Sequence, residues 1–180
     1  MSTPTYVYRV GVDPAWKNLG VALVKENSET HEITLVKSWV MNPSTFKSIP
    51  DFVNTLGLTV VEAINEDDDG DTDLVSVNVE RFVAYAGVST SETENICMII
   101  GAIQYLFRDL EMGLHRAIDW KMDMVKALHK KKKFENPSSK LDKKFSIAAA
   151  KACLDHEHTF ATDHEADAVC LASYPVITRK

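Results

Sequence analysis

The chain has 180 residues, 45% of them apolar, with 20 Lys and Arg against 26 Asp and Glu for a formal net charge of -6. That length suits one domain, and that apolar fraction excludes a disordered chain. An acidic total argues at face value against a polyanionic partner.

Cys97, Cys153 and Cys170 are odd in number and lie in apolar-periodic stretches, which excludes a disulfide framework. The N-terminal MSTPTYVYRV lacks the layout of a signal peptide, and no apolar run nears the ~20 residues of a membrane span. We expect a cytoplasmic protein in a reducing compartment, with no membrane partner.

In chain order, Tyr6 to Val12, Leu19 to Lys25 and His31 to Val40 read as strands joined by short polar links, so an antiparallel meander is expected. Phe46 to Asn65 has helical apolar spacing, weakened by Gly57 and Thr59. An acidic loop at 66–73 follows, then a fourth strand from Leu74 to Val79. Ser91, with Glu94 three residues on, reads as the capping box of a long helix. Its stripe runs Ile96, Ile99, Ile100, Ile103, Leu106, Phe107 and Leu110, long enough to cover a sheet and contribute to a dimer surface. Leu114 to Ile118 reads as a short fifth strand, Trp120 to His129 and Phe145 to Leu154 as helices, and a last helix opens near Thr162 or Asp163. The order βββαβαβα, with additions before the final helix, predicts an α/β fold on a five-stranded mixed sheet.

Charge is partitioned rather than spread. The window from Glu66 to Asp73 holds six acids and no base, and without it the chain is neutral. Arg116 to Lys151 holds 11 basic residues and four acids, with its core in a basic insertion at 129–144. The distribution therefore readmits a nucleic-acid partner that the total disfavours.

Four side chains form the candidate site. Asp13 ends the first strand and shares a face with Arg9 and Gly11. Glu80 closes the fourth strand on the side of Ser76 and Asn78, read as a polar rather than a packed face. His164 and Asp167 stand at i and i+3 on one helical face, beside apolar Ala166, Val169 and Cys170. Each has a bland reading: Asp-Pro starts turns, a strand-end Glu is usually solvated, and a His–Asp pair decorates many helices. Glu165 with Thr162 reads as a structural capping box, with Asp163 serving the helix N-terminus. Together the acids are expected to meet at one spot, although two like charges ~4 Å apart repel by about 4 kcal/mol at an effective dielectric near 20. A fold gathers such groups mainly around cations, and an oxygen-rich set suits Mg²⁺ or Mn²⁺.

These motifs carry a resemblance. GVDPAWKNLGVAL, VNVERFVAYAG, a basic segment and HEADAVCLA, in that order, resemble the RuvC-type Holliday-junction resolvases of the RNase H-like superfamily over nearly the whole chain. Ala15 stands where members usually carry Gly, and His164 where Asp is commoner. The acidic loop and the Lys-rich insertion are also departures. The resemblance implies a single RNase H-like domain over 1–180 that acts as a homodimer on branched DNA and cuts four-way junctions symmetrically. It implies two Mg²⁺ or Mn²⁺ ions per site, held by Asp13, Glu80, His164 and Asp167, and product ends of 5′-phosphate and 3′-hydroxyl. A compact enzyme of this kind suits a bacteriophage source.

The same resemblance places functional lysines near the scissile phosphate, where Lys121 and either Lys143 or Lys144 match best. The run Lys130, Lys131, Lys132 and Lys133, with Lys140, is either a solvated face or a phosphate-contacting one. Phe82 either reaches toward the junction or joins the core. Cys153, His156, His158, His164 and Cys170 lack the paired ligand spacing of a structural zinc site. Other RNase H-fold nucleases, acting on flaps, branched DNA or RNA–DNA hybrids, and a catalytically silent junction-binding module remain as alternatives.

Overall fold

The computed structural model describes residues 6–67, 73–83, 89–131, 134, 140–154 and 157–179. Its elements are β1 (Tyr6–Asp13), β2 (Leu19–Asn27), β3 (Ile33–Met41), α1 (Ile49–Asp67), β4 (Asp73–Arg81), α2 (Thr90–Leu106), β5 (Glu111–Arg116), α3 (Ala117–Lys130), α4 (Lys143–Cys153) and α5 (Asp163–Ile177). The sheet order is β3-β2-β1-β4-β5. β1, β2 and β3 pair antiparallel, whereas β4 runs parallel to β1 and β5 parallel to β4. This is the expected mixed sheet, flanked by helices on both faces.

The period-2 pattern of the strands builds two cores. Tyr8, Val10, Val12, Leu19, Val21, Leu23, Val77 and Val79 face α1 and α2 and are buried against Phe52, Leu56, Ile99 and Ile103. On the other face Ala22 and Val24 pack with Trp120, Phe145, Val169 and Leu171 of the α3–α4–α5 layer. Arg9 lies on that second face and is neutralised there by Glu26, 2.6 Å away, with Ser76 Oγ at 2.8 Å.

Two glycines set the distance between sheet and helix. A Cβ at Gly11 would run into the backbone of Ala168 and Ala172, and one at Gly20 into the backbone of His164. The helix they admit is itself rich in Ala, with Ala166, Ala168 and Ala172 fully buried. Small residues on both partners therefore let α5 lie directly on β1 and β2.

Several boundaries differ from the sequence reading, each for a local reason. His31 is not in β3: it sits at φ 59 in the turn before it, where Asn27 Oδ1 accepts from the backbone N–H groups of Glu29 and Thr30. The cap of α2 is Ser89, whose hydroxyl accepts from Glu92 N, rather than Ser91 with Glu94. The α2 stripe of Ile96, Ile99, Ile100, Ile103 and Phe107 is buried against the sheet, so it is not a dimer surface. The outward side of that helix instead shows Cys97, Met98, Gly101 and Tyr105, with Tyr105 71% exposed. β5 begins and ends earlier than expected, and Ile118 belongs to α3. α1 continues through Gly57, which packs against Leu106, and Thr59, whose hydroxyl donates to Thr55 O.

Candidate active site

The C-terminal ends of β1 and β4, the start of α3 and the first turns of α5 meet at one end of the sheet. β1 carries Asp13 there. The parallel register pairs Val12 with Val79, which sets Glu80 beside Asp13 on the same face. The capping box is present as predicted: Thr162 Oγ1 accepts from Glu165 N, and Glu165 Oε2 accepts from Thr162 N. It fixes the first turn of α5, and Gly20 lets that turn approach. His164 Nδ1 then lies 2.7 Å from Asp13 Oδ2.

The face bearing Glu80 is not the open polar one expected from alternation. Ser76 and Asn78 are 2% and 4% exposed, because the helical layer covers them. Trp120 Nε1 donates to Glu80 Oε2 at 2.9 Å. The next residue, Lys121, donates to Asp167 Oδ2 at 3.1 Å and to Ser146 Oγ at 3.3 Å. Asp13, Glu80, His164, Asp167 and Lys121 are thus brought together.

The sequence pattern singles out neither Trp120 nor Ser146 as a site residue. A signal existed for Ser146, a lone hydroxyl on the apolar side of the Ala-rich α4, which is 1% exposed. For Trp120 no local pattern distinguishes a core indole from one that reaches a carboxylate.

The electrostatics are those of crowded acids. Burial, then the charge of Asp13, pushes Glu80 up to about 7, against the opposing indole N–H. Asp167 is raised by burial, countered by Lys121 and reinforced by Asp13. His164 is raised by its hydrogen bond to Asp13, over the opposing effect of burial. Burial pulls Lys121 down, but the charges of Asp167, Glu80 and Asp13 outweigh it and hold the ammonium above its ordinary value. Lys121 is the positive charge that these acids now share.

Among the described residues, no three His, Cys, Asp or Glu side chains converge closely enough to hold one ion as they stand. The donor chemistry nevertheless fits a hard divalent cation. Asp167 Oδ1 is buried and accepts no hydrogen bond, so it presents a dehydrated lone pair beside Lys121. Asp13 and Glu80 add carboxylate oxygens and His164 adds an imidazole.

The remaining predicted residues fall elsewhere. Lys143 Nζ is 3.0 Å from Asp163, next to His164, whereas Lys144 is exposed and gives its backbone N–H to the α4 cap Asp142. Phe82 is half-buried and packs against the α1–α2 core. Lys130 sits at the far end of α3, about 13 Å and half a helical rotation from Lys121, with Lys131 as the C-cap. There they line a groove of about 680 Å³ with Lys126, Tyr174 and Arg179. Lys140 is exposed at the approach to α4, and Lys132, Lys133 and residues 135–139 of the insertion lie outside the described residues, as does the centre of the acidic loop. Cys153 and Cys170 are buried core thiols, and His158 stacks on Phe160; His156 lies outside the described residues. Among the described residues no helix is long and apolar enough to cross a membrane.

A five-stranded mixed sheet of this order, three antiparallel strands and then two parallel ones with helices on both faces, is the RNase H-like fold. Among solved structures, the chain is similar to the RuvC of Thermus thermophilus in complex with Holliday junction substrate. That similarity has a TM-score of 0.65 at 16% identity, over 96% of this chain and 94% of that one. It is similar also to a second Thermus thermophilus RuvC structure, with a TM-score of 0.63 at 17% identity and the same coverage. No protein-family model and no curated protein sequence matches the chain.

Proposed function

We propose that this chain is a divalent-metal-dependent, structure-selective endonuclease that resolves four-way DNA junctions. The observation that carries the reading is the meeting of Asp13, Glu80, Asp167 and His164 around Lys121, in an RNase H-like fold similar to a RuvC solved on a junction. A silent binding module has no need of buried Glu80 and Asp167 carboxyls raised beside Asp13 in this way.

Asp13, Glu80, His164 and Asp167 would hold Mg²⁺ or Mn²⁺, two per site. Bound ions supply electrostatic stabilisation of the attacking and leaving oxygens of a phosphodiester. A water gives up a proton and its oxygen bonds to phosphorus as the P–O3′ bond breaks, leaving a 5′-phosphate and a 3′-oxygen that takes up a proton to become the hydroxyl. Lys121, and Lys143 beside Asp163, offset the charge of a phosphate entering an acidic site. Ser146 keeps Lys121 on that side of α3.

Two paired cuts need two sites related by symmetry, which a homodimer supplies. The outward face of α2, with Met98 51% and Tyr105 71% exposed around Gly101, is the surface proposed for the partner copy. The groove of Lys126, Lys130, Lys131 and Arg179 is proposed to take a duplex arm rather than the scissile phosphate.

The test is cleavage of synthetic four-way, flap and RNA–DNA hybrid substrates with Mg²⁺, Mn²⁺ or EDTA. Paired cuts in the four-way junction, dependent on the metal, are expected. Preferred cutting of flaps or hybrids would move the chain to another RNase H-fold nuclease. Junction binding with no cutting in either metal would make it a silent module.

A further inference from the structure

We infer that Trp120 is a positioning residue of the metal-holding cluster, acting through Glu80; the inference rests on the metal reading above. An indole N–H is a donor only, and when buried it usually finds an acceptor. Trp120 is 0% exposed and locked in the core between the sheet and the α4–α5 pair. A core indole is usually satisfied by any nearby acceptor. Here the acceptor is a carboxylate oxygen of the cluster itself, Glu80 Oε2, which leaves Oε1 for a cation.

The same ring reaches the other side of the cluster. Lys121 Nζ sits 4.9 Å from the centroid of the Trp120 ring and 3.1 Å from Asp167. One rigid side chain therefore meets Glu80 with its edge and the partner of Asp167 with its face. A flexible carboxylate at a strand end acquires a fixed orientation, and its spacing from Asp167 is set by a group that does not itself touch a metal. Outer partners of this kind typically change metal affinity by about 10- to 100-fold when removed.

The experiment is Mn²⁺ binding to the DNA-free protein, read by electron paramagnetic resonance of the free ion. Trp120→Phe keeps most of the apolar volume and deletes the N–H. Its Kd for Mn²⁺ is expected to rise about tenfold, while junction binding in EDTA is unchanged. Trp39→Phe is the control, since it removes a buried indole N–H that has no acceptor and lies in β3. A Trp120→Phe Kd within twofold of wild type, or an equal loss in Trp39→Phe, overturns the inference.

Should Trp120→Phe lack a cooperative melt, the wild-type protein decides. Its Trp120 Nε1–H resonance, assigned by elimination with Trp16→Phe and Trp39→Phe, is expected to shift on Mg²⁺ addition with the midpoint of metal binding. A resonance that stays in place through saturation overturns the proposal. A wild-type protein that binds no Mn²⁺ at all sinks the metal reading itself, and this inference with it.

Discussion

His164 Nδ1 and Asp13 Oδ2 lie 2.7 Å apart although 151 positions separate them in the chain. The contact ties the first turn of α5 to the end of β1, and it makes the two residues electrostatically dependent on each other. Asp13→Asn keeps the shape and removes the charge. We expect it to abolish junction cutting while gel-shift affinity in EDTA survives. The His164 imidazole, held up mainly by Asp13, should titrate at lower pH in the variant by NMR. Persistent cutting by Asp13→Asn would remove Asp13 from the site.

His164 also bears on metal choice. An imidazole among carboxylates shifts preference toward softer ions than an all-oxygen site would. Cleavage rates with Mn²⁺ should be at least equal to those with Mg²⁺, and His164→Asp should move the balance toward Mg²⁺. A clear Mg²⁺ preference of the wild-type enzyme would contradict this.

Crowding of the acids should be visible in stability. Glu80, pushed to about 7 from 4.5, holds a proton in the folded, metal-free protein that the unfolded chain has already released. Its contribution therefore falls as pH rises between those two values. His164 acts in the same direction, since a raised imidazole stabilises below 6.5 and loses that contribution as pH climbs through its folded value. His115, lowered by burial, works in the opposite sense below 6.5, so the comparison is made against Glu80→Gln. In EDTA, the melting temperature of wild type relative to Glu80→Gln should drop from pH 5 to pH 8. Mg²⁺ should restore it at pH 8. A difference that is constant over that range would show that Glu80 is not titrating there.

The glycines beneath α5 set the precision of the site. Gly20→Ala meets the backbone of His164, and Gly11→Ala meets that of Ala168 and Ala172. Neither neighbour is a flexible side chain, so the helix must move. Each change should cost about 1–3 kcal/mol or more in denaturant unfolding. Gly20→Ala should also reduce cutting, since it displaces the turn that carries His164. Full activity in that variant would mean that the turn has slack.

Lys130 and Lys131 are expected to act on affinity rather than chemistry. Removing them should lower the slope of log K against log salt for junction binding by about 0.9 for each phosphate that is no longer neutralised. Cutting at saturating DNA should be unaffected. An unchanged salt slope would place the duplex elsewhere and leave this end of α3 as a solvated face.

The strands of the sheet are legible in the sequence. Alternation in YVYRVGVD and DLVSVNVER groups Asp13 with Arg9 and Gly11, and Glu80 with Ser76 and Asn78, because side chains of a strand alternate strictly; the parallel register then makes those two faces one. The α5 cap is legible there too, since Thr162 and Glu165 satisfy each other within one turn. The net charge of -6 likewise divided into an acidic run and a basic stretch on sequence grounds alone. What remained for the tertiary structure was everything decided by contact between distant elements. Covered Ser76 and Asn78, Trp120 on Glu80, and Lys121 shared by Asp167 and Ser146 depend on how the α3–α4–α5 layer packs on the sheet. The seat of α5 in that layer is set by Gly11 and Gly20 against an Ala-rich helix, a matter of packed volumes that no local periodicity encodes.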